Sequence, residues 1–197
     1  MKKINVLLRS IAALLLLGFT LSLSYYPMLR VVDILFNIDE FQKQPLNFQI
    51  DGVQAQWGYA GWVQNLSSHF TADPVKLPVQ NKTLDGQPLT IGSSIFSQGI
   101  GTHAPSKISF KLNKKVSLFS CLAGLDNSTS NLSDGVFAYL LADGREIYRS
   151  AKIHYQAVPV PINVTVTGVE NLVLCVDVVT PENNVSNFDW VNLQFKR

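Results

Sequence analysis

A two-residue rhythm limits this chain more than anything else in it. The run "KISFKL" sets Ile108, Phe110 and Leu112 against Lys107, Ser109 and Lys111. The run "VPVPINVTV" sets Val158, Val160, Ile162, Val164 and Val166 against Pro159, Pro161, Asn163 and Thr165. Side chains alternate this way when a strand buries one face, and a helix cannot satisfy the pattern. Proline has no N–H for a ladder, so the first half of the second run belongs at a sheet edge. The runs "VFAYLLA" and "REIYRS" flank Asp143-Gly144, the signature of a two-residue hairpin. "NLVLCVDVV" and "WVNLQF" complete the set, giving roughly eight strands after residue 46. Asp-Gly turns fall at 51–52, 85–86, 134–135 and 143–144, and no long helical pattern interrupts them. The expectation is an all-β fold, an antiparallel β-sandwich.

Residues 1–29 obey a different rule. "MKKINVLLRS" is basic and "IAALLLLGFTLSLS" is continuously apolar. That is the layout of a cleaved secretion signal, with Ser22 and Ser24 as the small residues, or of an uncleaved signal anchor. Extended through "YYPML" to Leu29, the run is about long enough to span a bilayer as a hydrophobic helix. Either way the basic end stays in the cytoplasm and the bulk of the chain is expected outside it, tethered to the membrane or secreted. Residues 30–45 read as a connector and 46–197 as the sandwich module.

Charged residues are 15% of the chain and the net charge is +2, with Lys2, Lys3 and Arg9 all in the leader. What remains is near neutral, with no basic stripe for phosphates, which makes nucleic acid an unexpected partner. Cys121 and Cys175 both lie in strand-like runs and are either a disulfide or two buried thiols. There is no nucleophile elbow, paired-histidine motif or phosphate loop. The four glutamates offer no obvious carboxyl pair for glycoside hydrolysis. The chain is therefore not expected to be an enzyme.

Two groups of residues suit a ligand. "QWGYAGW" places Trp57, Tyr59 and Trp62 in one glycine-containing segment, and flat rings stack on the C–H faces of sugars. The same rings also suit plugging the end of a sandwich. "DNSTSNLSD" carries Asp126 and Asp134, and Asp177 lies near a strand end. These hard oxygen donors are the candidate ligands for Ca2+, although such residues also simply build turns. The run "QGIGTHAPS" reads as the turn that feeds "KISFKL", with Gly99 and Gly101 lending backbone freedom. His103 in its middle either satisfies buried backbone groups or contacts ligand.

Several motifs in order match one family. "GIGTHAPSKI" (Gly99–Ile108), the turn Gly124–Asp126, "FAYLLADGREIYRS" (Phe137–Ser150), the strand Leu172–Val178 and the segment Asp189–Leu193 together resemble the NPCBM carbohydrate-binding modules. The likeness covers roughly residues 50–197. It implies a galactose-binding-like jelly roll that recognises galactose-containing or other glycans without cutting them, beside or attached to a glycoside hydrolase. Trp57, Tyr59, Trp62 and His103 are then the expected carbohydrate contacts. The chain departs from the family at "SNFDW" and in the polar insertion "NSTSNLS". The expected function is a carbohydrate-binding module; these departures, and the missing hydrolase domain, motivate the alternative of a structural or protein-interaction domain of a larger membrane or cell-surface protein.

Overall fold

In the computed structural model, residues 43–60, 77–129, 134–179 and 186–197 are described. The alternating runs become strands of two antiparallel sheets. The larger sheet follows the order β1 (Gln44–Pro45), β3 (Val53–Ala60), β8 (Ser106–Lys111), β13 (Asn171–Val178), β10 (Val136–Ala142), β11 (Arg145–Arg149), with β2 (Gln49–Ile50) paired to β3. The smaller sheet follows the order β12 (Val160–Thr165), β9 (Leu118–Leu125), β14 (Asn187–Lys196), β7 (Gly99–His103), β4 (Val79–Gln80). A separate hairpin joins β5 (Leu89–Ile91) to β6 (Ser94–Phe96). Five of these fourteen strands have only two or three residues, too few to show a period, which is why the sequence suggested about eight.

The turn chemistry closes hairpins at two of the four Asp-Gly pairs, 51–52 and 143–144, whereas Asp134-Gly135 simply precedes β10. Asp51 and Gly52 both take positive φ between β2 and β3, as do Asp143 and Gly144 between β10 and β11. These are the mirror-image turns whose twist matches a hairpin. The proline-bearing run forms β12, at the edge of the smaller sheet.

Register fixes the core. On the larger sheet Phe110 pairs with Leu172 and Ile108 with Leu174, and all four face inward. From the smaller sheet come Phe119, Ile162, Phe188, Trp190 and Phe195. The Phe195 ring centroid lies 5.1 Å from that of Phe110 and 5.0 Å from that of Phe119, and Phe188 meets Trp190 edge to face at 5.2 Å. Such ring pairs contribute about 1 kcal/mol each beyond the area they bury. Trp190 is 0% exposed and packs rather than binds.

The glycine-histidine run differs from its reading as a turn. Gly99–His103 is itself a strand, β7, and it belongs to the smaller sheet. Ala104 and Pro105 then carry the chain across to the larger sheet, where β8 begins. The glycines serve clearance instead of backbone freedom. A Cβ on Gly101 would lie 2.4 Å from the Lys82 carbonyl oxygen, and one on Gly124 would lie 2.4 Å from Ile91 Cγ2. The segment from Lys82 to Ile91 therefore lies flat against the sheet only because both positions are bare.

The expected N-terminal helix (1–29) and residues 30–42 of the connector lie outside the described residues. Among the described residues no helix is long and apolar enough to cross a membrane. Gln44 and Pro45, the end of that connector, already pair with Gly58 and Trp57, so the sheet starts just ahead of residue 46. Cys121 and Cys175 are two separate buried thiols. Burial pushes the Cys121 thiol far above its ordinary pKa, so it is inert.

Candidate functional site

The residues chosen from sequence as sugar contacts do not converge. Trp57 and Tyr59 pair with Ser109 and Lys107, whose neighbours in β8 face the core, so both rings stand on the outer face of the larger sheet. Tyr59 is 7% exposed. Trp57 is half-buried, and the Lys43 ammonium sits 4.8 Å from its ring centroid, against a face that a stacked sugar would need. His103 belongs to the other sheet, opposite Asn187, and is 2% exposed. Trp62 lies outside the described residues.

The three aspartates expected to hold Ca2+ are also apart. Asp126 follows β9 on the smaller sheet, whereas Asp177 stands in β13 of the larger sheet opposite Phe137, and Asp134 precedes β10. Among the described residues no three His, Cys, Asp or Glu side chains group as a metal site. Asp126 is moreover saturated by donors. Its Oδ2 accepts from the Thr90 N–H and the Thr90 hydroxyl, each at 3.0 Å, and its Oδ1 accepts from the Ser128 N–H at 2.8 Å and from the Ser128 hydroxyl. Both oxygens of Asp126 are thus engaged by N–H and O–H donors, and the three aspartates are not brought together.

Sequence reasoning missed what Asp126 does. Asp189 of β14 stands in register between Gly101 and Gly124, and its Oδ2 also accepts from the Thr90 N–H, at 3.1 Å. Both carboxyls are 1% exposed. Burial, the Asp126 charge and a hydrogen bond to Asp126 push the Asp189 carboxyl up to about 9. Burial opposes ionisation of Asp126 as well, but the donors from Ser128, Asp189 and Thr90 overcome it and hold that carboxyl below its usual range. At neutral pH the two acids share one proton. This pair clasps the β5–β6 hairpin to the smaller sheet, aided by Asn127, whose side-chain amide donates to the Gly92 carbonyl at 2.7 Å. The legible signal was an acid inside the apolar run "FDWV", which needs a buried partner. The pair is sealed from solvent, so it does not form the open cleft that glycoside hydrolysis requires.

The NPCBM/NEW2 domain model matches residues 59–196. A Renibacterium salmoninarum protein named for endo-alpha-N-acetylgalactosaminidase activity is 30% identical over 111 residues, which is 56% of this chain and 7% of that protein. This chain thus spans only a small part of that relative. Among solved structures, the CBM51 module of Clostridium perfringens GH95 in complex with methyl-galactose matches with TM-score 0.55 and 18% identity, covering 60% of this chain and 87% of that one. The CBM51-2 and INT domains of Clostridium perfringens ZmpB, in complex with GlcNAc, match with TM-score 0.56 and 20% identity over 61% of this chain and 27% of that one. The tandem CBM51 modules of the family 98 glycoside hydrolase from Streptococcus pneumoniae match with TM-score 0.55 and 21% identity over 70% of this chain and 43% of that one. These likenesses show the two-sheet fold.

Proposed function

The chain belongs to the NPCBM/NEW2 domain family, and from that premise we propose that it is a non-catalytic carbohydrate-binding module. The observation that carries this reading is the extent of the match, which begins inside β3 and ends with β14. The two-sheet architecture agrees with modules solved with methyl-galactose and GlcNAc, so neutral galactose- or N-acetylglucosamine-containing glycans are the proposed ligands. The one buried carboxyl pair described above holds a hairpin in place and is closed to a substrate.

The chain acts beside enzymes that cut glycans, in the manner suggested by the relative named for endo-alpha-N-acetylgalactosaminidase activity. It works outside the cytoplasm, held by its 1–29 segment, a reading supported by the basic-then-apolar sequence there. Protease accessibility of the module on intact cells tests the placement, and digestion only after lysis contradicts it. A glycan array probed with the full chain tests the binding. Signals on neutral galactose- or N-acetylglucosamine-bearing glycans are expected. A flat array favours the structural or protein-interaction alternative.

A further inference from the structure

We propose that the open half of the smaller sheet's outer face is where the module takes up its glycan, and that the ligand is a neutral oligosaccharide lying across β12, β9 and β14. This rests on the carbohydrate-binding reading above. The hairpin covers only part of that face: Leu89 and Ile91 pack on Val191, with Leu122 partly buried beside them. Beyond it a groove of about 280 Å³ remains, lined by Ser120, Leu122, Pro161, Asn163, Asn192 and Gln194 among others. Its size sits at the small end of ligand sites, roughly 300 Å³ and above.

The register builds this groove from two kinds of row. Ser120 pairs with Asn163 on one side and with Gln194 on the other, so three hydrogen-bonding side chains line up across three strands. Leu122 pairs with Pro161 and with Val191, which makes the adjacent row apolar. Between the rows β14 bulges, and Asn192 takes a φ of 52° there. Its backbone N–H donates to the Gln98 carbonyl at 3.0 Å, which holds the irregular backbone and leaves the side chain outward. A non-glycine residue at positive φ on a bulge is a feature that re-aims a side chain at cost.

Polar row beside apolar row is the complement of a sugar, which offers hydroxyls at its edge and C–H groups on its face. Each amide gives both donors and an acceptor, the set that a pair of neighbouring hydroxyls requires. Asn163, Asn192 and Gln194 are exposed, and their amides enter no hydrogen bond among the described residues. None of the residues lining the groove carries a charge, so neutral sugar fits better than a sialylated or uronate chain. A peptide added at this edge would need ladder donors from β12, and Pro161 removes one. From β12 to β14 spans two strand spacings, about 10 Å, which is longer than one sugar ring.

The test titrates the full chain, made in a host that leaves Asn163 unglycosylated, with neutral galactose- and N-acetylglucosamine-containing oligosaccharides, each also supplied in sialylated form. Variants are Asn163→Ala, Gln194→Ala and Asn192→Gly, the last keeping the positive φ while removing the amide. Each is expected to weaken binding of the neutral glycan about 3- to 10-fold, the worth of one hydrogen bond, with the melting temperature unchanged. The pair Asn163→Ala with Gln194→Ala should lose about 10-fold or more. Wild-type binding that all the variants retain overturns the groove and leaves the carbohydrate reading standing. So does binding lost through Trp57→Ala alone, or a preference for the sialylated form. A wild-type chain that binds no glycan overturns both.

Discussion

The two outer faces of the sandwich are finished by different means. On the larger sheet, among the described residues, long side chains lie over rings: Lys43 over Trp57, and Arg149 over Tyr139 at 4.4 Å while pairing with Glu146. On the smaller sheet the chain itself does the covering, through the segment that runs from Lys82 into the β5–β6 hairpin. The first solution needs only long amphipathic side chains and tolerates substitution. The second needs bare backbone beneath and a buried polar clasp above. A motif rich in glycine and aspartate can thus be structural throughout.

That contrast breaks most sharply at Asp126. Asp126→Ala leaves the Thr90 hydroxyl and the Ser128 N–H without their acceptor, and leaves the Thr90 N–H with Asp189 alone. At about 1–2 kcal/mol for each of these two part-buried donors, a loss of roughly 2–4 kcal/mol is expected in urea unfolding. Gly101→Ala comes next, because its Cβ would meet backbone and not a yielding side chain. It should cost about 2–3 kcal/mol and expose the hairpin to proteolysis before the rest of the sandwich.

Asp189→Asn sharpens the comparison through pH. In the unfolded chain an aspartate releases its proton near pH 4, whereas in the fold Asp189 keeps its proton up to about 9. The folded state therefore binds more protons in this window, and its contribution to stability falls as pH rises from about 4 towards 9. Urea midpoints of the wild type should decline across that range. The Asn variant cannot ionise, so its profile should be flatter and should cross above the wild type on the alkaline side. Parallel profiles would refute the shared proton. Arg149→Ala on the other face should cost less than about 1 kcal/mol, because its partner is exposed and the ion pair is screened.

Much of the fold was legible in the sequence. Period-two runs such as 107–112 and 158–166 became β8 and β12, and Asp143-Gly144 became the hairpin it signals. Strands of two or three residues were invisible because a period needs more positions than they have. The Gly99–His103 run was misjudged because glycine is usually read as freedom of φ. Here what matters is the distance to Lys82, a residue brought in from outside the local sequence. The candidate site was less legible still. Trp57 and Tyr59 drew attention as aromatics, yet register places them on the sheet opposite His103. The row Asn163–Ser120–Gln194 joins three distant stretches of unremarkable residues, and only pairing makes them neighbours. Family motifs carried the functional reading further than any one residue did.

The central claim is that this chain holds a glycan and does not cut it. Saturation-transfer difference NMR on the full chain with a neutral galactose-containing oligosaccharide tests both halves in one sample. The account predicts saturation of the sugar protons and an oligosaccharide spectrum unchanged after prolonged incubation. No transfer from the protein, or the appearance of new reducing-end signals, would contradict it.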